Sequence, residues 1–312
     1  MQVIATITMN PAIDKSSSID HVIAERKLRC NPPNHEPGGG GINVSRAVKK
    51  LGGNSLALCP AGGPPGLMLH DLLNQEGIRH IPIEIRGWTR ENFTILEEST
   101  DQQYRFGMPG PVLMEKEWRR CLDELLSLDP KPDYIVASGS LPPGVPKDFY
   151  AQVVQGAKKL DCKIIVDTSG EALRLAAEAG VYLLKPNMNE LAALGGEEIR
   201  DEPHQEAIAS DIVMKGQSEV VVISLGAAGA LMVTREGSRR IRSPIVPIRS
   251  KVGAGDSMVG GIVLSLARGK SLPEAVSYGV AAGAAAVMTP GTELCRREDT
   301  ERIYEIIISE KM

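Results

Sequence analysis

The chain has 312 residues, 42% hydrophobic and 24% charged, with a net charge of −4. Values so near the globular average exclude disorder, and the lack of a basic stripe excludes nucleic acid as the main partner. Aromatics are only 4%, so the core must rest on Val, Ile, Leu and Ala, which suits a mostly parallel sheet covered by helices.

Gln2–Thr8 reads as a first strand. No basic segment followed by a long apolar run precedes it, so it is not a signal peptide. Asp14 follows and could accept hydrogen bonds from sugar hydroxyls. Residues 16–37 then hold short strand patterns with no helix between them. The helix at Ile42–Leu51 has Val44, Val48 and Leu51 on one face and Gly52 as its stop. Ser55–Cys59 is the next strand. Residues 86–108 break the alternation again, with the polar pattern ENFTILEESTDQQYRF. Helices at Glu115–Leu128 and Pro146–Leu160 alternate with strands at Tyr134–Ala137, Lys163–Asp167, Tyr182–Leu184 and Glu219–Ser224. Strand–helix alternation means βαβ units. The two irregular stretches read either as a small antiparallel sheet closing over a site as a lid or as two edge hairpins. Gly279–Met288 is too short and too Ala-rich to span a bilayer. Five cysteines without a CxxC pair point to reduced thiols in a cytoplasmic protein. The five histidines show no ligand spacing.

Four segments could carry chemistry. Val252-Gly-Ala-Gly-Asp-Ser-Met258 opens an apolar helix through Ala267. Its small residues let a ligand approach the backbone, and a helix start offers unpaired N–H groups to an anion. Asp256 in that first turn could take a proton from a hydroxyl. It could also be a plain cap, but the flanking glycines favour chemistry. Four glycines at Gly38–Gly41 open the earlier helix, where chain entropy opposes them; a loop wrapping a ligand would justify them, with Asn43 presenting its amide to sugar hydroxyls. Lys185-Pro-Asn-Met-Asn-Glu190 follows a strand, where open α/β sheets bind ligands. There Asn187 and Glu190 read equally as holders of a hydrated magnesium ion or as a helix cap and its first-turn acid. Ser224–Gly229 is either a tight turn against a ring or phosphate, or a hairpin turn. Lys27, Arg29, Arg90 and Arg105 are singly ordinary surface charges; together in the two inserts they suggest phosphate recognition.

In this order, PGGGGINVSRA, KPNMNE, SLGAAGA and VGAGDSMVGG resemble the phosphofructokinase B, or ribokinase-like, carbohydrate kinases, over the whole chain. KLRC at Lys27–Cys30, WTREN at Trp88–Asn92, QYRF at Gln103–Phe106 and SGSLPPGV at Ser138–Val145 are similar to the members that act on fructose 6-phosphate. The resemblance implies one ribokinase-like α/β domain over residues 1–312, with a β-sheet lid and a homodimer formed through it. It implies transfer of the ATP γ-phosphoryl group to O1 of fructose 6-phosphate, the alternatives being tagatose-6-phosphate kinase and 1-phosphofructokinase. Asp256 would be the base, and the N–H groups of Gly253, Ala254, Gly255 and Asp256 the anion hole. Asp14, Gly39, Gly40, Asn43, Arg90 and Ser140 would hold the sugar phosphate, with Lys27 and Arg29 reaching it from the lid, also across the dimer. Lys185, Asn187, Ser224, Gly226, Gly229, Val280 and Gly283 would line the ATP site. Asn187 and Glu190 would organise Mg2+. Ser250, Val252, Ala286, Gly291 and Glu293 would surround K+, mostly through carbonyls. Members acting on other fructose or tagatose phosphates tend to carry GGKG where Gly40 stands here. Thr289 and Glu293 depart from the family's pattern, so the potassium site survives only if main-chain oxygens form it. TMNPAID at Thr8–Asp14 is closer to other phosphosugar kinases of the family. A regulator without activity would not need Asp256, and a nucleoside kinase would not need the basic lid.

Overall fold

The computed structural model describes residues 2–309. The chain opens with β1 (Ile4–Ile7), leaves for β2 (Ala12–Ile19) and β3 (Asn34–Gly38), and returns through α1 (Gly40–Lys50) to β4 (Leu56–Ala61). Helix α2 (Gly63–Gln75) and β5 (Arg79–Glu84) precede a second excursion, β6 (Arg90–Glu97) and β7 (Gln102–Phe106). Strand and helix then alternate through α3 (Glu115–Leu126), β8 (Tyr134–Ser138), α4 (Phe149–Lys159), β9 (Lys163–Asp167), α5 (Gly170–Glu178), β10 (Val181–Leu184), α6 (Met188–Gly195), α7 (Glu202–Met214) and β11 (Ser218–Ser224). The hairpin strands β12 (Ala230–Thr234) and β13 (Gly237–Ile241) lead to α8 (Ala254–Ala267), α9 (Leu272–Val287) and α10 (Arg297–Ser309).

Nine strands form one sheet in the order β13-β12-β11-β10-β9-β8-β1-β4-β5, parallel from β5 to β11. Successive side chains of a strand face opposite sides, and here both sides are dry. Ile164, Val166, Val221 and Ile223 join one core with α3, α4, α5 and α7. Ile165, Val220 and Val222 join the other, with α1, α8, α9 and α10. Burial on both faces is why these strands are continuous apolar runs and why helices must cover each side. Helix α1 is buried on more than the expected single face. Ser45 bonds Thr6 at 2.8 Å and Ser55 at 2.9 Å, and Arg46 is 1% exposed.

The irregular stretches form a separate four-stranded sheet, β3-β2-β6-β7. It is not purely antiparallel as expected: β2 and β6 pair in parallel, while β2–β3 and β6–β7 are antiparallel. A parallel central pair is possible because the two excursions leave the main sheet separately, each supplying one inner and one edge strand. Strand β2 also begins at Ala12, so Asp14 belongs to this sheet. No described helix is long and apolar enough to cross a membrane.

Candidate active site

The ends of β1 and β8, the start of α1 and the small sheet meet at one point. Gly39, at φ 114°, caps α1. At Gly40 the backbone passes so close to the β8 end that an added Cβ would lie 2.3 Å from Ser138 Oγ and 2.8 Å from the Gly139 nitrogen. The glycine run is therefore a close packing of backbones, and α1 starts directly above the strand ends. Asn10, at the exit of β1, donates to Ser140 Oγ at 3.1 Å. Arg90, at the start of β6, donates to the carbonyls of Asn10 at 2.9 Å and Met108 at 3.1 Å. Asp14 receives Asn92 Nδ2 at 2.8 Å. Burial raises the Asp14 pKa, against the Asn92 bond and the nearby Arg90.

Helix α8 meets this point from the other side. Gly253 caps it, so Asp256 is the third helical residue, within the first turn; the cap reading for Asp256 does not hold. Asn43 Nδ2 donates to Asp256 Oδ2 at 2.9 Å. Burial, then the charge of Asp167, pushes the Asp256 pKa up to about 6, opposed by the Asn43 bond and by Lys185. The carboxyl opens onto a recess of about 220 Å³ that Gly40, Ser140, Asp167 and Glu190 also line. Lys185 is buried and pairs with Asp167 at 3.2 Å. Burial works most strongly against its charge, but Asp167, with Glu190 and Asp256, together outweigh burial and raise its pKa.

Behind Asp256 lies an apolar cavity of about 490 Å³. Ser224, Gly226 and Gly229 form one wall, Val280 and Gly283 of α9 another, and Ala254 and Gly255 of α8 a third. The Ser224–Gly229 turn is thus both a hairpin turn between antiparallel β11 and β12 and a cavity wall. Asn187 bridges to Ser224 beside it. A planar heterocycle fits such a slot, and a chain of phosphates leaving it would run toward the N–H groups of Gly253–Asp256 and the Lys185 ammonium.

The Asn187–Glu190 segment is a capping box: Glu190 N–H donates to Asn187 Oδ1 at 3.0 Å, and Asn187 N–H donates to Glu190 Oε2 at 2.8 Å. That takes up the one side-chain oxygen of Asn187, so the cap reading holds for Asn187, and leaves Glu190 Oε1 and Asp167 as hard oxygen donors at the recess. Such a set fits magnesium that keeps most of its waters. Among the described residues no group of three or more His, Cys, Asp or Glu could form an all-protein cage. On the far side of α8, Ser250 and Val252 approach the end of α9 and the 289–294 turn, with Ser250 N–H on Val287 O at 3.2 Å. Thr289 is turned inward, onto the carbonyls of Ala286 and Leu294. Glu293 is turned outward, onto Arg296 at 2.7 and 3.0 Å. The main-chain oxygens of Ala286, Thr292 and Leu294 already accept from Thr289 or Arg46, but a carbonyl oxygen has two lone pairs, so this turn can still offer oxygens to potassium.

The basic residues of the inserts are not gathered. Arg90 stands in the wall, but Lys27 and Arg29 lie exposed on the connection between β2 and β3, and Arg105 is exposed on β7. Long charged side chains with no buried partner stay in water. Sequence reasoning missed Asp167, although it ends β9 at the carboxyl edge where ligands bind. It also missed Asn10 and Arg46, which no local pattern marks.

The model of the pfkB family carbohydrate kinases matches residues 3–299. The ATP-dependent 6-phosphofructokinase isozyme 2 of Mycobacterium tuberculosis is 47% identical over 303 residues, covering 97% of this chain and 89% of that protein. The 1-phosphofructokinase of Bacillus subtilis is 31% identical over 292 residues, covering 93% of this chain and 95% of that one. A crystal structure of phosphofructokinase-2 from Escherichia coli in complex with potassium superposes with a TM-score of 0.95 at 43% identity, covering 99% of this chain and 100% of that chain.

Proposed function

Because the chain belongs to the pfkB family of carbohydrate kinases, we propose that it transfers the γ-phosphoryl group of ATP to O1 of fructose 6-phosphate, giving fructose 1,6-bisphosphate and ADP. The observation that carries this is Asp256, in the first turn of α8 between the nucleotide-shaped cavity and the polar recess. The O1 hydroxyl attacks the γ-phosphorus, the bond to the β–γ bridging oxygen breaks, and the hydroxyl proton passes to the Asp256 carboxylate. Such transfer depends on positioning and charge stabilisation. The N–H groups of Gly253–Asp256 receive the equatorial oxygens, and Lys185 adds positive charge. Magnesium, held by Glu190 through water, would neutralise the phosphates. Potassium beside Ser250, Val252, Ala286, Gly291 and the 293 carbonyl would steady the turn facing the start of α8.

Asp14, Asn43, Arg90 and Ser140 would hold the sugar phosphate, and the small sheet would act as a lid. Lys27 and Arg29, exposed here, would reach the phosphate only on closure or from a second copy. Higher identity to the isozyme 2 relative than to the 1-phosphofructokinase supports the acceptor. So does Gly40, which stands where members acting on other fructose or tagatose phosphates tend to carry a lysine. Five free cysteines, four of them buried, suit a reducing cytoplasm. The test is kcat/KM for fructose 6-phosphate, fructose 1-phosphate and tagatose 6-phosphate under the same saturating ATP and magnesium. We expect fructose 6-phosphate to lead; a clear preference for either other sugar overturns the acceptor and keeps the kinase.

A further inference from the structure

Arg46 heads the large, fully buried side chains among the described residues, and phosphoryl transfer as derived above gives it no task. It lies one helical turn after Asn43 on α1. A buried guanidinium is costly unless its N–H groups are paired. Glu76 receives Nε and Nη2 at 2.7–3.0 Å, and Glu36 receives Nη2 at 3.0 Å. Nη1 donates to the carbonyls of Pro37 at 3.2 Å and Thr292 at 3.3 Å, and at 3.4 Å, long for a hydrogen bond, it meets Asn43 Oδ1. The other end of that amide, Nδ2, is the donor to Asp256.

The two ends of an amide have opposite roles. Turned by half a rotation, Asn43 would set its NH2 against the Arg46 N–H and its oxygen against the Asp256 carboxylate. Two favourable contacts would become two repulsive ones. Glu36 and Glu76 hold the guanidinium in place, so its N–H stays set against the Asn43 oxygen.

We propose that Arg46 is a positioning residue: clamped by Glu36 and Glu76, it holds the Asn43 amide so that its N–H, not its oxygen, faces Asp256. The inference rests on Asp256 as the base. Asp14 on β2, Asp167 at the end of β9, Lys185 after β10 and Glu190 on α6 also surround that carboxyl or line its recess. Three of these four are carboxylates, so a reversed Asn43 would add one more acceptor to a cluster already rich in negative charge.

The test uses Arg46→Lys, which keeps a positive charge between the two glutamates but lacks the planar fork. We expect kcat to fall about tenfold or more, with KM for ATP little changed, as for loss of a charged hydrogen bond. The acid limb of kcat/KM should move up by about one pH unit, which a mere loss of folded protein would not produce. In an Asn43→Ala background the same substitution should change neither further. An unchanged limb, or losses that multiply in the double variant, overturns the proposal. If Arg46→Lys does not fold, Glu76→Gln loosens the clamp from its half-buried end. A several-fold kcat loss that vanishes beside Asn43→Ala supports the role, and independent losses overturn it. Asp256→Asn, measured in parallel, separates the readings: normal turnover there removes the base, whereas collapse there without coupling between positions 46 and 43 removes only the role of Arg46.

Discussion

Asp256 carries two opposed demands in one carboxyl group. As the proposed base it must be ionised, yet burial and Asp167 raise its pKa to about 6. At neutral pH it remains mostly charged and a better proton acceptor than an ordinary aspartate. We therefore expect kcat/KM to fall tenfold per unit below about pH 6, measured with ionic strength held constant; a flat profile down to pH 5 contradicts this. Asp256→Asn should keep sugar-phosphate binding and lose kcat by roughly 10²–10⁴, read by steady-state kinetics. The same raised pKa has a cost in stability. Relative to the ordinary value of 3.8, the folded state binds the proton more tightly, so this group's contribution is full below pH 3.8 and is lost as pH rises through about 6. Above that, the buried charge opposes folding by roughly 2–3 kcal/mol. Asp256→Asn should accordingly melt higher than the parent at pH 7.5, and the difference should shrink toward pH 4. A variant that is both inactive and less stable at pH 7.5 would point to a structural rather than a catalytic carboxylate.

Among the elements, the start of α1 is a tight fit against the end of β8. A Cβ at Gly40 meets Ser138 and the Gly139 backbone, and neither is the flexible end of a long side chain. Gly40→Ala must push α1 away from the β8 end, which overpacking data put at about 1–3 kcal/mol. The shift would also move Asn43, three residues on. We expect a lower melting temperature together with a raised KM for the sugar phosphate and a nearly unchanged KM for ATP; an alanine variant with parental sugar affinity would show that α1 has slack. Elements of this kind were partly legible in the sequence. Strand β9 lies where its apolar run placed it, because burial on both faces leaves no polar gap. Strands β5 and β13 were missed: RHIPIE and GSRRI lie at or next to the sheet edges and carry polar residues and a proline that erase the pattern. The parallel pairing of β2 with β6 joins residues about 78 apart, such as Asp14 and Asn92, and no local signal encodes it. The capping box was visible in KPNMNE as spacing. Arg46 was not, since an arginine in an amphipathic helix reads as solvated until three distant segments are seen to close over it.

At the scale of the whole molecule, the small sheet leaves one face open. Its inner face carries Asp14, Asn92 and the Ser16–Thr94 pair toward the body of the protein. Alternation puts the opposite residues outward, and there Phe93 lies directly across from Phe106, with Ile95 across from Tyr104. Phe93 is 38% and Phe106 51% exposed, with Met108 and Leu28 also open. Strands β3 and β7 present free edges. An outer face with open aromatic side chains, crossed by the Lys15–Glu91 ion pair with Lys15 over the Phe93 ring, and with two unpaired edges is a docking surface or an aggregation hazard. A second copy of this chain would cover both, and would bring its own exposed Lys27 and Arg29 near the neighbouring sheet. We expect a homodimer by sedimentation at micromolar concentration. Phe93→Asp should shift it to monomer, since a charge opposite Phe106 cannot be buried against another apolar face. Because β6 carries Arg90 three residues before Phe93, the monomer should bind the sugar phosphate more weakly while the apolar cavity, built from the end of β11 and its turn, the 243–251 segment, α8 and α9, is unchanged. A parent protein that sediments as a fully active monomer would remove the dimer, and a Phe93→Asp monomer with parental sugar affinity would separate assembly from acceptor binding.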